Sequence, residues 1–248
     1  MTAPLRLGML TPSSNTVLEP VTAAMLAGVP GASAHFGRFR VTEISLSQKA
    51  LSQFDPEPML AAADLLADAH CQSLCWNGTS AGWLGFDKDR ALCATIRERT
   101  GIPASSSVLA LADLFRIAGV RTFGLVSPYI PEVQNGIIEN FRREGYVCIA
   151  ERHLGITVNF DFALTTADTL RRMIREVAAE GPDGIVVLCT NLAGGPLVAE
   201  LEAETGVTIY DSIATAVWGA LVAAGADPRA VRGYGRLFDL PAALRETA

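Results

Sequence analysis

Cys189 stands where an apolar run, 184–188, meets a polar turn that continues through Thr190 and Asn191 to Gly194 and Gly195. A thiol at a strand end, with backbone N–H groups and a helix opening around Gly194, is placed to be held as thiolate or to sit beside an anion. A buried free cysteine is also a common apolar filler, and position alone leaves both readings standing. A second stretch of the same shape, "CWNGTSAGW", runs from Cys75 to Trp83. Its Gly78-Thr79-Ser80 supplies two hydroxyls beside a residue that permits close backbone approach. Such a turn either satisfies its own backbone or grips a carboxylate or enolate oxygen. Tyr129, after Pro128, is a packing residue or one more donor to the same oxyanion. The turn "TPSSNT", 11–16, is a helix N-cap using Asn15 or Ser14, or a carboxylate-binding turn. Cys71, Cys93 and Cys148 lack such a setting and read as structural. Cys75, inside a strand three residues before Gly78, is intermediate.

The elements that must position these turns follow from the patterning. Short apolar runs at 5–10, 36–41, 73–76, 104–106, 122–126, 147–152, 184–188 and 207–210 read as strands. Amphipathic segments at 58–70, 87–100, 108–118, 132–144 and 167–180 read as helices between them. That alternation predicts βαβ units around parallel sheets. Gly101, Gly119, Gly145, Gly181 and Gly225 sit where left-handed helix caps belong. The order also repeats. "RLGMLTPSSNTVLEP" resembles "RTFGLVSPYIPEVQN", and "GIPASSSVLALADLFRIAG" resembles "GVTIYDSIATAVWGALVAAG". The expected fold is therefore α/β, with two pseudo-symmetric lobes, each a mainly parallel sheet flanked by helices. The expected division is 1–116 with 216–248 for the first lobe and 117–215 for the second. Ligands bind beyond the carboxyl ends of such strands, so the site belongs between the lobes. The turns at 11–15, 77–80, 127–129 and 189–191 would surround it.

Composition bounds the function. The 248 residues are 50% apolar and carry a net charge of -6 with no basic block, which argues against nucleic acid or an anionic membrane as partner. No apolar run approaches the ~18 residues of a bilayer span, and the N-terminus lacks a signal-like apolar core. Five cysteines without paired spacing suggest reduced thiols, and hence a cytoplasmic setting. His35, His70 and His153 are too scattered to nominate a metal site. No P-loop, strand-linked G-x-G-x-x-G or paired CxxC is present, and Gly233-Tyr234-Gly235 reads as a turn. The expectation is chemistry without metal or cofactor.

With these residues in place, the chain resembles the aspartate/glutamate racemase superfamily, in its maleate isomerase and arylmalonate decarboxylase branch. The features are "TPSSNT", "NGTSAGW", "SPYIPEV", "LGIT", "LCTN" and "GYGRLF", in order over nearly the whole chain. The resemblance implies two α/β lobes around a cofactor-free site. Racemases and maleate isomerases of this superfamily use one cysteine from each lobe. Here the second-lobe cysteine matches Cys189, while Gly78 occupies the first-lobe position, as in arylmalonate decarboxylases. By that resemblance Cys189 is the proton donor, and Thr79, Ser80, Tyr129 and backbone N–H groups near Thr190 stabilise an enediolate. Pro12, Ser13, Asn15, Asn77, Gly78, Asn159, Thr190 and Asn191 would contact the substrate. Asn77 and Asn159 fall where arylmalonate decarboxylases carry apolar side chains, and the asparagines of "PSSNT" and "GITVN", Asn15 and Asn159, look more like the grip of a maleate isomerase on a second carboxylate. The expected activity is cofactor-independent decarboxylation of a substituted malonate or similar small dicarboxylate. The alternatives are a cis–trans isomerase or racemase in which Cys75 or another group replaces the missing thiol, and a non-catalytic carboxylate-binding protein. A Gly78→Cys change should restore a two-thiol site, with strain if residue 78 holds a positive φ. Which sulfurs line the cleft discriminates among the three.

Overall fold

Strands buried on both faces need helices on both sides, which forces parallel pairing through crossovers. The computed structural model describes residues 4–242. Residues 1–3 and 243–248, assigned above to the first lobe, lie outside the described residues. The strands are β1 (Leu5–Pro12), β2 (Ala32–Phe39), β3 (Ser73–Trp76), β4 (Ala104–Ser106), β5 (Thr122–Ser127), β6 (Val147–His153), β7 (Gly184–Val187) and β8 (Thr208–Asp211). They form two four-stranded parallel sheets, ordered β2-β1-β3-β4 and β6-β5-β7-β8. The same connectivity occurs twice, as the sequence repeat requires. All residues of β3 and β7 are buried.

The helices are α1 (Leu18–Leu26), α2 (Gln48–Leu51), α3 (Pro56–Asp68), α4 (Ala81–Leu84), α5 (Phe86–Thr100), α6 (Ser107–Ala118), α7 (Pro131–Arg143), α8 (Asn159–Phe162), α9 (Ala167–Ala178), α10 (Val198–Thr205) and α11 (Ser212–Ala223). Side chains cap several of them: Asp55 accepts from the Glu57 N–H, Ser106 from Leu109 and Asp211 from Ile213 and Ala214. All five expected glycine caps hold a positive φ, between 71° and 91°. None of the described helices is long and apolar enough to cross a membrane.

One strand differs from expectation. β2 begins at Ala32, opposite Leu5 of β1, and ends at Phe39 rather than Val41. Pairing with β1, not apolarity, sets its limits. Residues 40–47 instead leave the sheet and reach the second lobe, where Glu43 bridges Val158 and Ile44 N–H donates to Thr157 O.

The last helix of each half crosses over. α6 follows β4, yet its Phe115 packs against Phe123, Phe141, Tyr146 and Tyr210 of the second half, edge-on to the last three. α11 follows β8, yet its Ala220 carbonyl accepts from Ser73 of β3 at 2.8 Å. The two helices meet at Gly219, where a Cβ would come within 2.7 Å of the Ala110 Cβ. This exchange ties the two halves together through α6 and α11.

Candidate active site

The carboxyl ends of the central strands β1, β3, β5 and β7 converge, and their turns close a small cleft. Its polar wall is Thr79 and Ser80 from the first lobe and Tyr129, Asn159, Cys189 and Thr190 from the second. Pro12 and Gly78 complete that side, while Val41, Ile44, Phe54, Trp76 and Trp83 form an apolar wall. About 20 Å³ remains between them, room for a single water molecule.

The lobes touch through the predicted hydroxyls. Thr79 Oγ1 and Tyr129 Oη lie 2.6 Å apart across the cleft. Tyr129 also interacts electrostatically with Cys189, so the thiol and the two hydroxyls cluster where the lobes meet. Trp83 and Phe162 pack edge-on against the Tyr129 ring at 5.1 and 5.5 Å, fixing its direction. The Ser80 hydroxyl takes no hydrogen bond among the described residues and lines the cleft, leaving a donor for a ligand.

Cys189 is 3% exposed. Asn191 N–H donates to its sulfur at 3.3 Å. The helix expected around Gly194 begins as a single turn at Gly195, too far along the chain for its dipole to dominate. Burial pushes the thiol up to about 12, and the N–H groups of Asn191 and Leu192 with the Tyr129 hydroxyl only partly offset it. The sulfur is therefore held as S–H, contrary to the thiolate that strand-end position suggests. Burial and the neighbouring Cys189 likewise raise the Tyr129 hydroxyl well above its usual range.

Cys75 faces the other way. Its sulfur points to the Ala216 carbonyl of α11 at 3.6 Å and does not line the cleft. The alternation of β3 that turns Ser73 and Cys75 toward α11 turns Trp76 toward the cleft. The Trp76 indole lies over Gly78, so a Cβ at 78 would run into the ring. Gly78 is not among the positive-φ glycines. The obstacle to a side chain there is the indole and not the backbone, a correction to the strain expected above.

Several expected substrate contacts are spent on structure. Asn77 turns its amide to Leu10 O and Cys75 O, at 3.3 and 2.8 Å, and lies outside the cleft lining. Asn15 Oδ1 caps the start of α1 through Val17 and Leu18, and its Nδ2 donates to Thr190 Oγ1 at 3.1 Å. Asn191 accepts from Thr16 and Val17 and donates to Asn159 O. Thr190 donates to Asn77 O at 2.9 Å. Ser13 is exposed and accepts from Val41 N–H. Asn159 lines the cleft, with Nδ2 already donating to Ser14 Oγ at 2.9 Å. The amides of Asn15, Asn159 and Asn191 thus bind the lobes together, that of Asn77 holds its own lobe, and the wall is more apolar than the asparagine-rich sequence predicts. What sequence reading missed is that wall. Ile44 and Phe54 carry no periodic signal, and Val41 reads as the end of a strand, so nothing points these residues at the cleft.

Two parallel α/β lobes meet with a thiol, a hydroxyl pair and an apolar wall at their junction. A family model of arylmalonate decarboxylase matches residues 11–238, and the chain belongs to this family. The arylmalonate decarboxylase of Bordetella bronchiseptica is 33% identical over 165 residues, covering 65% of this chain and 69% of that protein. A maleate isomerase of Geobacillus stearothermophilus is 25% identical over 224 residues, covering 86% and 89%. Among solved structures, an arylmalonate decarboxylase variant with one glycine changed to cysteine and one cysteine to serine, in its liganded form, superposes with a TM-score of 0.83. It is 25% identical, with 96% of this chain and 99% of that one covered.

Proposed function

We propose that the protein decarboxylates an α-substituted malonate without a cofactor, with Cys189 as the acid that protonates the product carbanion. The observation that carries this reading is that Cys189 lines the cleft while Cys75 faces α11. Racemisation needs an acid/base on each face of the α-carbon, and the first-lobe face presents Gly78 under the Trp76 ring. Addition of sulfur to a maleate double bond needs a thiolate, whereas burial keeps this thiol protonated.

The step is as follows. The bond from the α-carbon to one carboxylate breaks, and its electron pair stays on carbon and spreads into the remaining carboxylate. Carbon dioxide leaves from the apolar side, where a carboxylate is poorly solvated and its neutral product is not. The enediolate oxygens receive hydrogen bonds from Thr79, Ser80 and Tyr129, groups aimed where negative charge grows. The Cys189 S–H then gives its proton to the α-carbon, and the sulfur recovers one from water. The test is to offer the protein phenylmalonate and maleate separately. Carbon dioxide from the first with no fumarate from the second is expected. Fumarate formation without decarboxylation would overturn the reading in favour of the isomerase.

A further inference from the structure

A line of polar side chains runs from the surface to the Tyr129 turn, where α7 packs on β6. Ser127 and Gln134 are buried, at 0% and 1% exposed, while Glu151 and His153 are partly exposed. Gln134 Nε2 donates to Glu151 Oε2 at 2.9 Å, with His153 Nδ1 2.8 Å from the same oxygen. A carboxylate only accepts, so it fixes the Gln134 amide with Oε1 turned inward. Ser127 must then donate to that Oε1, at 2.5 Å, which leaves its own lone pairs for the Tyr129 N–H at 3.3 Å. Every donor direction from Glu151 to Tyr129 is thereby set by one carboxylate. The Tyr129 carbonyl accepts from Gly155 N–H at 3.0 Å, so the residue is held on both sides.

The fold does not need these groups. The first half repeats the frame, with Thr11 before Pro12 as Ser127 stands before Pro128. Six residues after each proline come Leu18 and Gln134, both buried. On the neighbouring strands Phe36 opposes Met9 as Glu151 opposes Leu125. Leu18 and Phe36 are apolar, and Thr11 turns its hydroxyl to Met9 O of its own strand. Burying polar side chains costs desolvation, and apolar ones suffice in the twin frame. What the second half has in addition is Tyr129, where the first half has Ser13.

We infer that Gln134, oriented by Glu151, is a positioning residue: through Ser127 it holds the turn that aims the Tyr129 hydroxyl at Thr79 and at substrate. This rests on the proposed reaction for the role of that hydroxyl. Gln134→Leu, which copies the first half, is expected to lower kcat about tenfold with KM within about twofold, since small displacements of a positioned group are costly. In a Tyr129→Phe background the same change should cost less than about twofold. Loss of packing alone would lower kcat equally in both backgrounds. A readout free of turnover is the Tyr129 Cζ resonance in protein carrying 13C-labelled tyrosine, the one of four signals that Tyr129→Phe removes. It should move in Gln134→Leu while the other three stay. Ser127→Ala should reproduce both effects, and it carries the test if Gln134→Leu fails to fold. Equal kcat losses in both backgrounds, an unchanged kcat, or an unmoved Tyr129 signal would overturn the inference. Fumarate from maleate with no carbon dioxide from phenylmalonate would sink the decarboxylase reading instead, and the same cycle is then read on fumarate. If neither product forms, the Tyr129 resonance decides alone.

Discussion

The turns that follow β3 and β7 hold equivalent places in two sheets of the same strand order, but they do different work. After β7, the chain delivers a thiol to the cleft and spends Thr190 and Asn191 on ties to the first lobe. After β3, it delivers two hydroxyls, buries its cysteine against α11 and lays an indole over the glycine. Duplication supplied two similar frames, and a two-thiol site would need both turns to end alike. On the proposed reading the turn after β7 carries the proton, and the turn after β3, with Tyr129, carries the donors that hold charge. A one-sided acid suits a reaction that delivers a single proton to a single face.

The largest effect should come from exchanging the roles of the two cysteines. Cys189→Ala is expected to lower kcat by about 10²–10⁴-fold. Cys75→Ala should leave kcat within a factor of about two and cost stability on the order of 1 kcal/mol through its cavity. Steady-state kinetics and denaturant melts of the pair check this, and a Cys75 variant as inactive as the Cys189 one would break the asymmetry.

The hydroxyls come next. Thr79→Ala and Tyr129→Phe should each lower kcat by about 10²-fold with a smaller change in KM, because the donors matter most as charge develops. Since the two groups touch at 2.6 Å, the double variant should lose less than the sum of the singles. Additive losses, or changes confined to KM, would argue that they act separately or only hold the ligand.

The indole over Gly78 sharpens the comparison further. Gly78→Cys alone should lose about 1–3 kcal/mol from overpacking against Trp76 and show little deuterium exchange at the α-carbon of a chiral product in deuterated water. Combined with Trp76→Leu it should gain both exchange and racemisation. Equal exchange with and without the Trp76 change would show that the ring does not guard this position.

The remaining effect concerns pH and touches stability alone. Each half buries one acid, Asp89 and Asp211, and burial raises both to about 7. The folded state therefore holds protons that the unfolded state, titrating near 4, has released. Stability should fall as pH rises from about 4 to about 7, by up to about 1.4 kcal/mol per pH unit for each group, and level off above. Denaturant melts from pH 4.5 to 8.5 on the wild type, Asp89→Asn and Asp211→Asn measure it. Each substitution should flatten the slope, and a slope of the opposite sign would mean that these carboxyls are charged and paired when folded.

Strand and helix positions were legible because period, glycine caps and side-chain caps are local properties. Gly101 and Gly119 end helices wherever those helices pack. The repeat made the doubled connectivity legible, and Cys189, Thr79, Ser80 and Tyr129 were legible as candidates because each stands at a strand end. The limits of β2 were not, since they depend on a partner strand. Nor were the tasks of the asparagines. Asn77 and Asn191 are polar residues in polar turns whichever way they point, and only their neighbours decide whether they face the cleft or the backbone. The 40–47 crossing, with Val41 and Ile44 over the site, joins residues more than 100 positions apart.

The sequence by itself determined the parts: eight short strands, their crossover helices, a duplicated order, and a thiol and hydroxyls at the turns. Tertiary structure alone decided that Cys189 enters the cleft while Cys75 does not, that Trp76 occupies the space beside Gly78, and that the buried thiol keeps its proton. The physical reason is that side-chain direction and desolvation are set by what packs on the far side of a strand. In this chain those partners lie far off in sequence, as Ala216 does for Cys75 and Phe39 for Trp76.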